Sequence, residues 1–224
     1  MSAITPAFPA FDQAEADAFT ERFVDILNHG AVAAMSSIGH RTGLFDAMTG
    51  LPPSTSDEIA ARAGLAERYV REWLAVMVTG RIVAYDADAR TYQLPAAHAA
   101  ILTRRAPLGN FAVAAQFVPL MGAVQERIVD CFRTGGGTAY EHYPCFHQVM
   151  AEDSGQTVVD QLFDTLLPLA PGLVERLERG SDVLDAGCGR GLALLAMAER
   201  FPQSRFLGID LCPDAIAAAT ADAS

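Results

Sequence analysis

Val183-Leu184-Asp185-Ala186-Gly187-Cys188-Gly189-Arg190-Gly191 decides how this chain is read. Val183 and Leu184 are apolar, as a strand buried on both faces would be. Glycines 187, 189 and 191 remove side chains where backbone must turn tightly and come close to a ligand. The stretch from Leu192 to Arg200 reads as a helix whose first N–H groups point at that ligand. Phe206-Leu207-Gly208-Ile209 reads as the next strand, and it ends in Asp210. An acidic residue about 20 positions beyond the glycine turn can accept both hydroxyls of a ribose. Strand, glycine turn, helix, strand and acid together form the entrance of a nucleotide-type cofactor site.

Two cofactors suit that layout. A dinucleotide site prefers G-x-G-x-x-G/A, and the position completing that pattern here is Leu192. The chain instead has D-x-G-x-G-x-G, with Asp185 at the end of the strand. A carboxylate beside a pyrophosphate would be repulsive, whereas beside a cationic ligand bearing an amino group it is useful. That points to S-adenosylmethionine, a sulfonium with an amino acid tail.

Upstream, residues 1–10 contain Pro6 and Pro9 and are expected to form a loose arm. Phe19, Phe23, Ile26 and Leu27 then share a helical face, with Asp12, Glu15 and Asp17 near its N-terminal end. A separate small-residue helix is expected from Ala31 to His40, where Gly30 and Gly39 would let another helix approach. Leu44, Phe45 and Met48 continue the apolar face until Gly50 and Pro52-Pro53 end it. Residues 56–64 read as a short helix with Ser54, Thr55 or Ser56 as its N-cap. Leu65 to Thr79 reads as a second helix, with Tyr69, Trp73, Val76 and Met77 on one core stripe. Strands over 81–85 and 91–94 flank the turn Asp86 to Arg90. Helix, turn, helix and hairpin make a winged-helix pattern. From Pro107 to Phe132 an apolar helical stretch follows, kinked at Pro119, and Gly135 to Gly137 break it. An aromatic loop spans 140–147, and further helix is expected over 156–167 and 173–179.

Composition narrows the class. Of the 224 residues 51% are hydrophobic and 19% charged, as in soluble globular chains. The net charge of -11 disfavours non-specific binding to nucleic acid or an anionic membrane. All sixteen basic residues are arginine, which excludes a P-loop lysine or a lysine Schiff base. Cys131, Cys145, Cys188 and Cys212 form no C-x-x-C pair, so free thiols and a cytoplasmic location are expected. The N-terminus has no basic region followed by an apolar core, and no uninterrupted apolar run has the roughly 18 residues of a membrane span.

Residues 183–191 resemble motif I of class I S-adenosylmethionine-dependent methyltransferases, and Gly208-Ile209-Asp210-Leu211 resembles their second-strand motif. The winged-helix front and helical linker resemble small-molecule methyltransferases that carry an N-terminal winged-helix domain, including O-methyltransferase-like proteins. The resemblance implies a mainly α winged-helix domain over 1–105, a helical linker and lid over 106–180, and the start of an α/β Rossmann-like domain over 181–224. It implies a parallel sheet of which only two strands fall within the chain, so the chain is expected to be a fragment of a longer protein. Gly187, Cys188 and Gly189 would line the methionine moiety, Asp185 would orient its amino group, and Asp210 would hold the ribose. Gly191 and Leu211 complete the cofactor set, and Tyr140, Tyr143 and Phe146 are candidate lid residues. A small-molecule methyl acceptor and a homodimer through the N-terminal helices are the implied partners, with neither nucleic acid nor membrane among them.

Other residues invite other chemistry. Cys188 resembles a nucleophile only by position, and a small residue is what the turn needs there. Glu141, His142, Cys145 and His147 match no common zinc spacing. His142 and His147 are the candidate bases by nearness to the lid, and no catalytic residue is assigned. A DNA-binding regulator is the alternative reading of the winged helix. Against it, residues 41–105 hold eight arginines and seven acids, close to neutral where a groove-reading surface is basic. A non-catalytic interaction module with a vestigial cofactor site is the third reading.

Overall fold

Trp73 organises the front of the molecule. In the computed structural model, which describes residues 9–107 and 109–223, its indole N–H donates to the Met35 carbonyl at 2.8 Å. Its ring lies against Gly39, where a Cβ would sit 2.5 Å from it. The expected close approach of helices is therefore real at Gly39, while around Gly30 there is open space. The loose arm over 1–10 lies mostly outside the described residues.

Helix α1 (Gln13–Arg41) is continuous, not two helices. Asp12 caps it by accepting from the Glu15 amide, and no proline follows. One interior glycine costs only about 0.5–1 kcal/mol, too little to break a helix rich in alanine. Helices α2 (Leu44–Met48), α3 (Ser56–Ala63) and α4 (Glu67–Thr79) follow. Thr55 is the N-cap of α3 and exchanges hydrogen bonds with Glu58 as a capping box. The buried stripe of α4 is Val70, Trp73, Leu74 and Met77. Tyr69 is 78% exposed and belongs to the outer face, a correction to the expected stripe. With Phe45, Met48, Ile59, Val83 and Leu94 the stripe forms the first core.

The wing is the antiparallel pair β1 (Ala84–Asp86) and β2 (Thr91–Gln93). Its first strand starts later than the sequence suggests. Arg81 takes φ +58, and the amides of Ile82 and Val83 turn back to the Met77 carbonyl. Those residues close the end of α4 instead of pairing. Helix α5 (Ala96–Leu102) leads into α6 (Phe117–Ala123) and α7 (Gln125–Thr134). A 3-10 turn over Ala114–Gln116 runs directly into α6, two residues before Pro119. Pro119 occupies the first turn of α6, where a missing N–H leaves nothing unpaired, and the break falls at Val124.

The aromatic segment is not all loop. Helix α8 (Phe146–Ser154) starts after Cys145, which takes φ +58. Gly155 keeps helical angles, so the chain continues into π-helical turns over Gly155–Val159 and Leu162–Leu166. The helix expected over 156–167 thus begins ten residues earlier. Helix α9 (Leu173–Arg179) then leads to β3 (Asp182–Ala186), α10 (Leu192–Arg200), β4 (Arg205–Ile209) and α11 (Pro213–Asp222).

Strands β3 and β4 pair in parallel, with Leu184 opposite Leu207 and Ala186 opposite Ile209. One face, carrying Val183 and Phe206, packs on the second core of Leu162, Leu177, Leu194, Met197 and Phe201. On the other face Leu184 and Leu207 are each 61% exposed. Burial on both faces, expected from apolar composition, therefore does not hold within this chain. The architecture is a mainly helical winged-helix front followed by the opening β-α-β-α of an α/β fold. No helix among the described residues is long and apolar enough to cross a membrane.

Candidate functional site

The end of β4 and the glycine turn are fastened to each other. The amides of Gly187 and Cys188 both donate to the Ile209 carbonyl, at 2.7 and 3.1 Å. Asp210 accepts from the Gly189 amide with Oδ2 and from the Cys212 amide with Oδ1, each at 2.9 Å. These backbone donors hold its carboxyl below the usual carboxylate range. Each carboxylate oxygen keeps a second lone pair for a ligand hydroxyl. Asp210 thus fixes the turn and remains able to accept.

The glycines serve different ends. Gly187 and Gly189 take φ +90 and +54, and a Cβ on either would meet nothing within 4 Å. Their absence of side chain is a conformational need, and it leaves open space beside the turn. Gly191, at φ +71, faces Ala219 of α11 instead. The turn amides at 187, 188, 189 and 191 are all spent on internal partners, so the turn offers room, not a nest of free donors.

That room is a cavity of about 710 Å³. The structure brings Asp185, Gly187, Cys188, Gly189, Asp210 and Leu211 to its wall, with Tyr140 and Phe146 from the aromatic segment. Gly191 and Tyr143 are not on it; Tyr143 lines an adjoining cavity outside the rings. Leu211 is 93% exposed and stands at the cavity rim. The Asp185 carboxylate makes no hydrogen bond among the described residues, which leaves it available. Arg190 directs its guanidinium to Asp222 at 3.1 Å. The wall therefore offers two carboxylates, Asp185 and Asp210, beside an arginine whose outer nitrogen is paired with Asp222. The Cys188 thiol is pushed up by burial, then by Asp185 and Asp210. A thiol so placed is a poor nucleophile, and its Sγ packs where a Cβ on Gly208 would sit.

Of the opposite wall, sequence reasoning names Tyr140, Phe146 and His147 and misses Met150, Ala151, Ser154 and Val158. His147, Met150, Ala151, Ser154 and Val158 present one face of α8 and its π-helical extension to the turn. Their three- and four-residue spacing is helical, but Pro144 and Gly155 masked it. Of the two candidate bases His147 reaches the cavity, whereas His142 lies 3.7 Å from Glu141 and is not on the wall. Tyr140 and Phe146 stack with centroids 5.0 Å apart, and His147 meets Phe146 edge-on at 5.3 Å.

Comparison with known proteins follows the same division. Residues 30–104 match the family model described as an Rv2258c-like winged HTH domain, and residues 183–224 match the model described as a methyltransferase domain. No curated protein sequence matches the chain. Among solved structures, the mitomycin 7-O-methyltransferase superposes with a TM-score of 0.61 at 19% identity, covering 94% of this chain and 63% of that one. A putative O-methyltransferase from Nostoc punctiforme gives 0.62 at 18% identity, over 97% and 61%. Human N-acetylserotonin methyltransferase, solved with S-adenosylmethionine, gives 0.61 at 16% identity, over 97% and 65%. The chain spans less than two thirds of the length of these structures. At these identities the likeness is one of fold, and it agrees with the two matched domains, a winged-helix front and the start of a methyltransferase domain.

Proposed function

We propose that the cavity between the glycine turn and α8 binds S-adenosylmethionine, and that the chain serves methyl transfer to a small-molecule acceptor. One observation carries this reading: Asp210 is locked to the glycine turn and faces the same cavity as Asp185. The volume suits a cofactor-sized ligand. When bound, the cofactor supplies an electrophilic methyl carbon on a sulfonium. Asp210 would accept from the ribose hydroxyls, Asp185 would pair with the amino group, and Gly187 and Gly189 would give the methionine moiety room. Tyr140 and Phe146 would cover the ligand. The chain's part in the reaction is to bind and orient, which can supply much of the acceleration without a dedicated base.

The winged helix fits a structural role better than a regulatory one. On α4, Arg68 pairs with Glu72 at 3.1 Å and Arg71 with Glu67 at 3.6 Å, so its basic residues are balanced on the spot. Phe19, Phe23, Val24, Ile26 and Leu27 leave an exposed apolar band along α1. We assign that band to a two-fold contact with a second copy.

The test is a titration of the methyl-labelled chain with S-adenosylhomocysteine, followed by NMR. The methyl signals of Met150, Leu192 and Ile209 should move together, and Asp210→Ala should weaken the affinity by roughly tenfold or more. Shifts confined to other regions, or an affinity unchanged in the variant, would refute the assignment.

A further inference from the structure

His40, near the end of α1, is 1% exposed and sits in a polar network that crosses between domains. Its Nε2 lies 2.8 Å from Glu152 Oε1 on α8. Its Nδ1 lies 3.4 Å from Asn110 Nδ2, which can only donate, because Asn110 Oδ1 accepts from the Ala112 amide. Asn110 therefore directs a donor toward Nδ1, and Nε2 is the ring nitrogen that faces Glu152. The other oxygen of Glu152 accepts from Gln116 Nε2 at 3.1 Å. Arg104 donates to the His40 carbonyl, pairs with Asp46 of α2, and brings its Nε to 3.8 Å from Glu152. One turn beyond Glu152, the Gln156 amide accepts from the Asn110 N–H at 2.7 Å and donates to its carbonyl at 3.0 Å.

Of the partners of Glu152, His40 and Arg104 belong to the winged-helix front, while Gln116, and Asn110 on Gln156, belong to the start of the segment that follows it. Met150, Ala151, Ser154 and Val158, on the neighbouring face of the same helical run, line the cavity. We infer that Glu152 is a positioning residue: through it the winged-helix domain sets the wall that faces the glycine turn. The front domain then does more than supply a partner surface, because its state and ligand occupancy of the cavity are linked. Linkage is reciprocal, so occupying the cavity must also steady the network. The inference rests on the proposed cofactor for the identity of the ligand, not for the coupling itself.

The experiment compares the chain with Glu152→Ala, Glu152→Gln and Gln156→Ala, using hydrogen exchange and S-adenosylhomocysteine titration. In Glu152→Ala the amides of 146–154 should exchange at least several-fold faster without ligand, and affinity should fall roughly tenfold. Glu152→Gln should restore both, since its carbonyl still accepts from His40 and Gln116 can turn its amide to match. Ligand should slow exchange around Asn110 in the wild type and not in Gln156→Ala, a variant that keeps His40 and Glu152 satisfied. Unchanged exchange over 146–154 in a folded Glu152→Ala would overturn the inference, as would equal loss in Glu152→Gln. A wild type that ignores S-adenosylhomocysteine would instead overturn the functional reading, and the ligand-free exchange would still decide the coupling.

Discussion

Glycines of identical composition have opposite roles in this chain, and substitution should separate them. Gly187→Ala forces a side chain onto φ +90, which costs about 1–3 kcal/mol. Its methyl group would also enter the cavity, so ligand binding should fall further than stability, as denaturation and titration on the same variant would show. Gly30→Ala sits inside α1 with nothing within 4 Å. It should raise stability by about 0.5–1 kcal/mol, and a lower melting point would contradict the continuous helix. Asp210 adds a pH dependence of known sign. Its folded carboxyl titrates below its unfolded range because the Cys212 and Gly189 amides hold the charged form. Its contribution is complete above the ordinary carboxylate range and is lost as pH falls through the depressed folded value. Asp210→Ala should therefore flatten the acid limb of the stability curve, and an unchanged slope would show that the turn is not held this way.

At the scale of elements, legibility in the sequence tracked how local the cause was. The N-cap of α3, which the sequence narrows to Ser54, Thr55 or Ser56, the wing turn at Asp86 and the strand–turn–helix at 182–200 depend on neighbours in sequence and are legible there. Helix α8 was hidden because Pro144 and Gly155 look like boundaries, while the contacts that settle its register, Glu152 to His40 and Gln156 to Asn110, span 112 and 46 residues. Tyr69 was misplaced by one helical position for a similar reason: Val70, not Tyr69, meets the core that α1 provides. The site divides in the same way. Asp185, the glycine turn and Asp210 are legible from spacing, while of the α8 wall only Phe146 and His147 are. Packing of β4 on the turn gives an element-level test. A Cβ on Gly208 would lie 2.7 Å from Cys188 Sγ and 2.8 Å from Leu194 Cδ1. Gly208→Ala should cost about 1–3 kcal/mol. The added change Cys188→Ala should recover part of that, because the sulfur is the tighter obstacle. A double variant as unstable as the sum of the single ones would mean the strain lies elsewhere.

The whole molecule presents two apolar cores, and α8 contributes residues to neither. The first core draws on α1, α2, α3 and α4, and the second on the π-helical turns, α9, α10 and the inner face of the sheet. Helix α8 contributes polar contacts to the front and a cavity wall to the rear, which is why neither half can be understood as a mere appendage of the other. The long α1 extends past the first core: only Ser36, Ser37, Gly39 and His40 are fully buried, all in its last two turns. Its first half carries Phe19, Phe23, Val24, Ile26 and Leu27 at 49–60% exposure. Nothing within the described chain covers that band, and a helix this apolar on its outer side gains by burial against an equivalent helix. If a second copy does so, Phe23→Glu with Leu27→Glu should convert a dimer into a monomer in light scattering coupled to gel filtration. Melting of the first core, read from Trp73 fluorescence, should change little, because neither side chain reaches it. A wild type that stays monomeric at tens of micromolar would sink the two-fold assignment. A double variant that remains dimeric would move the contact away from α1.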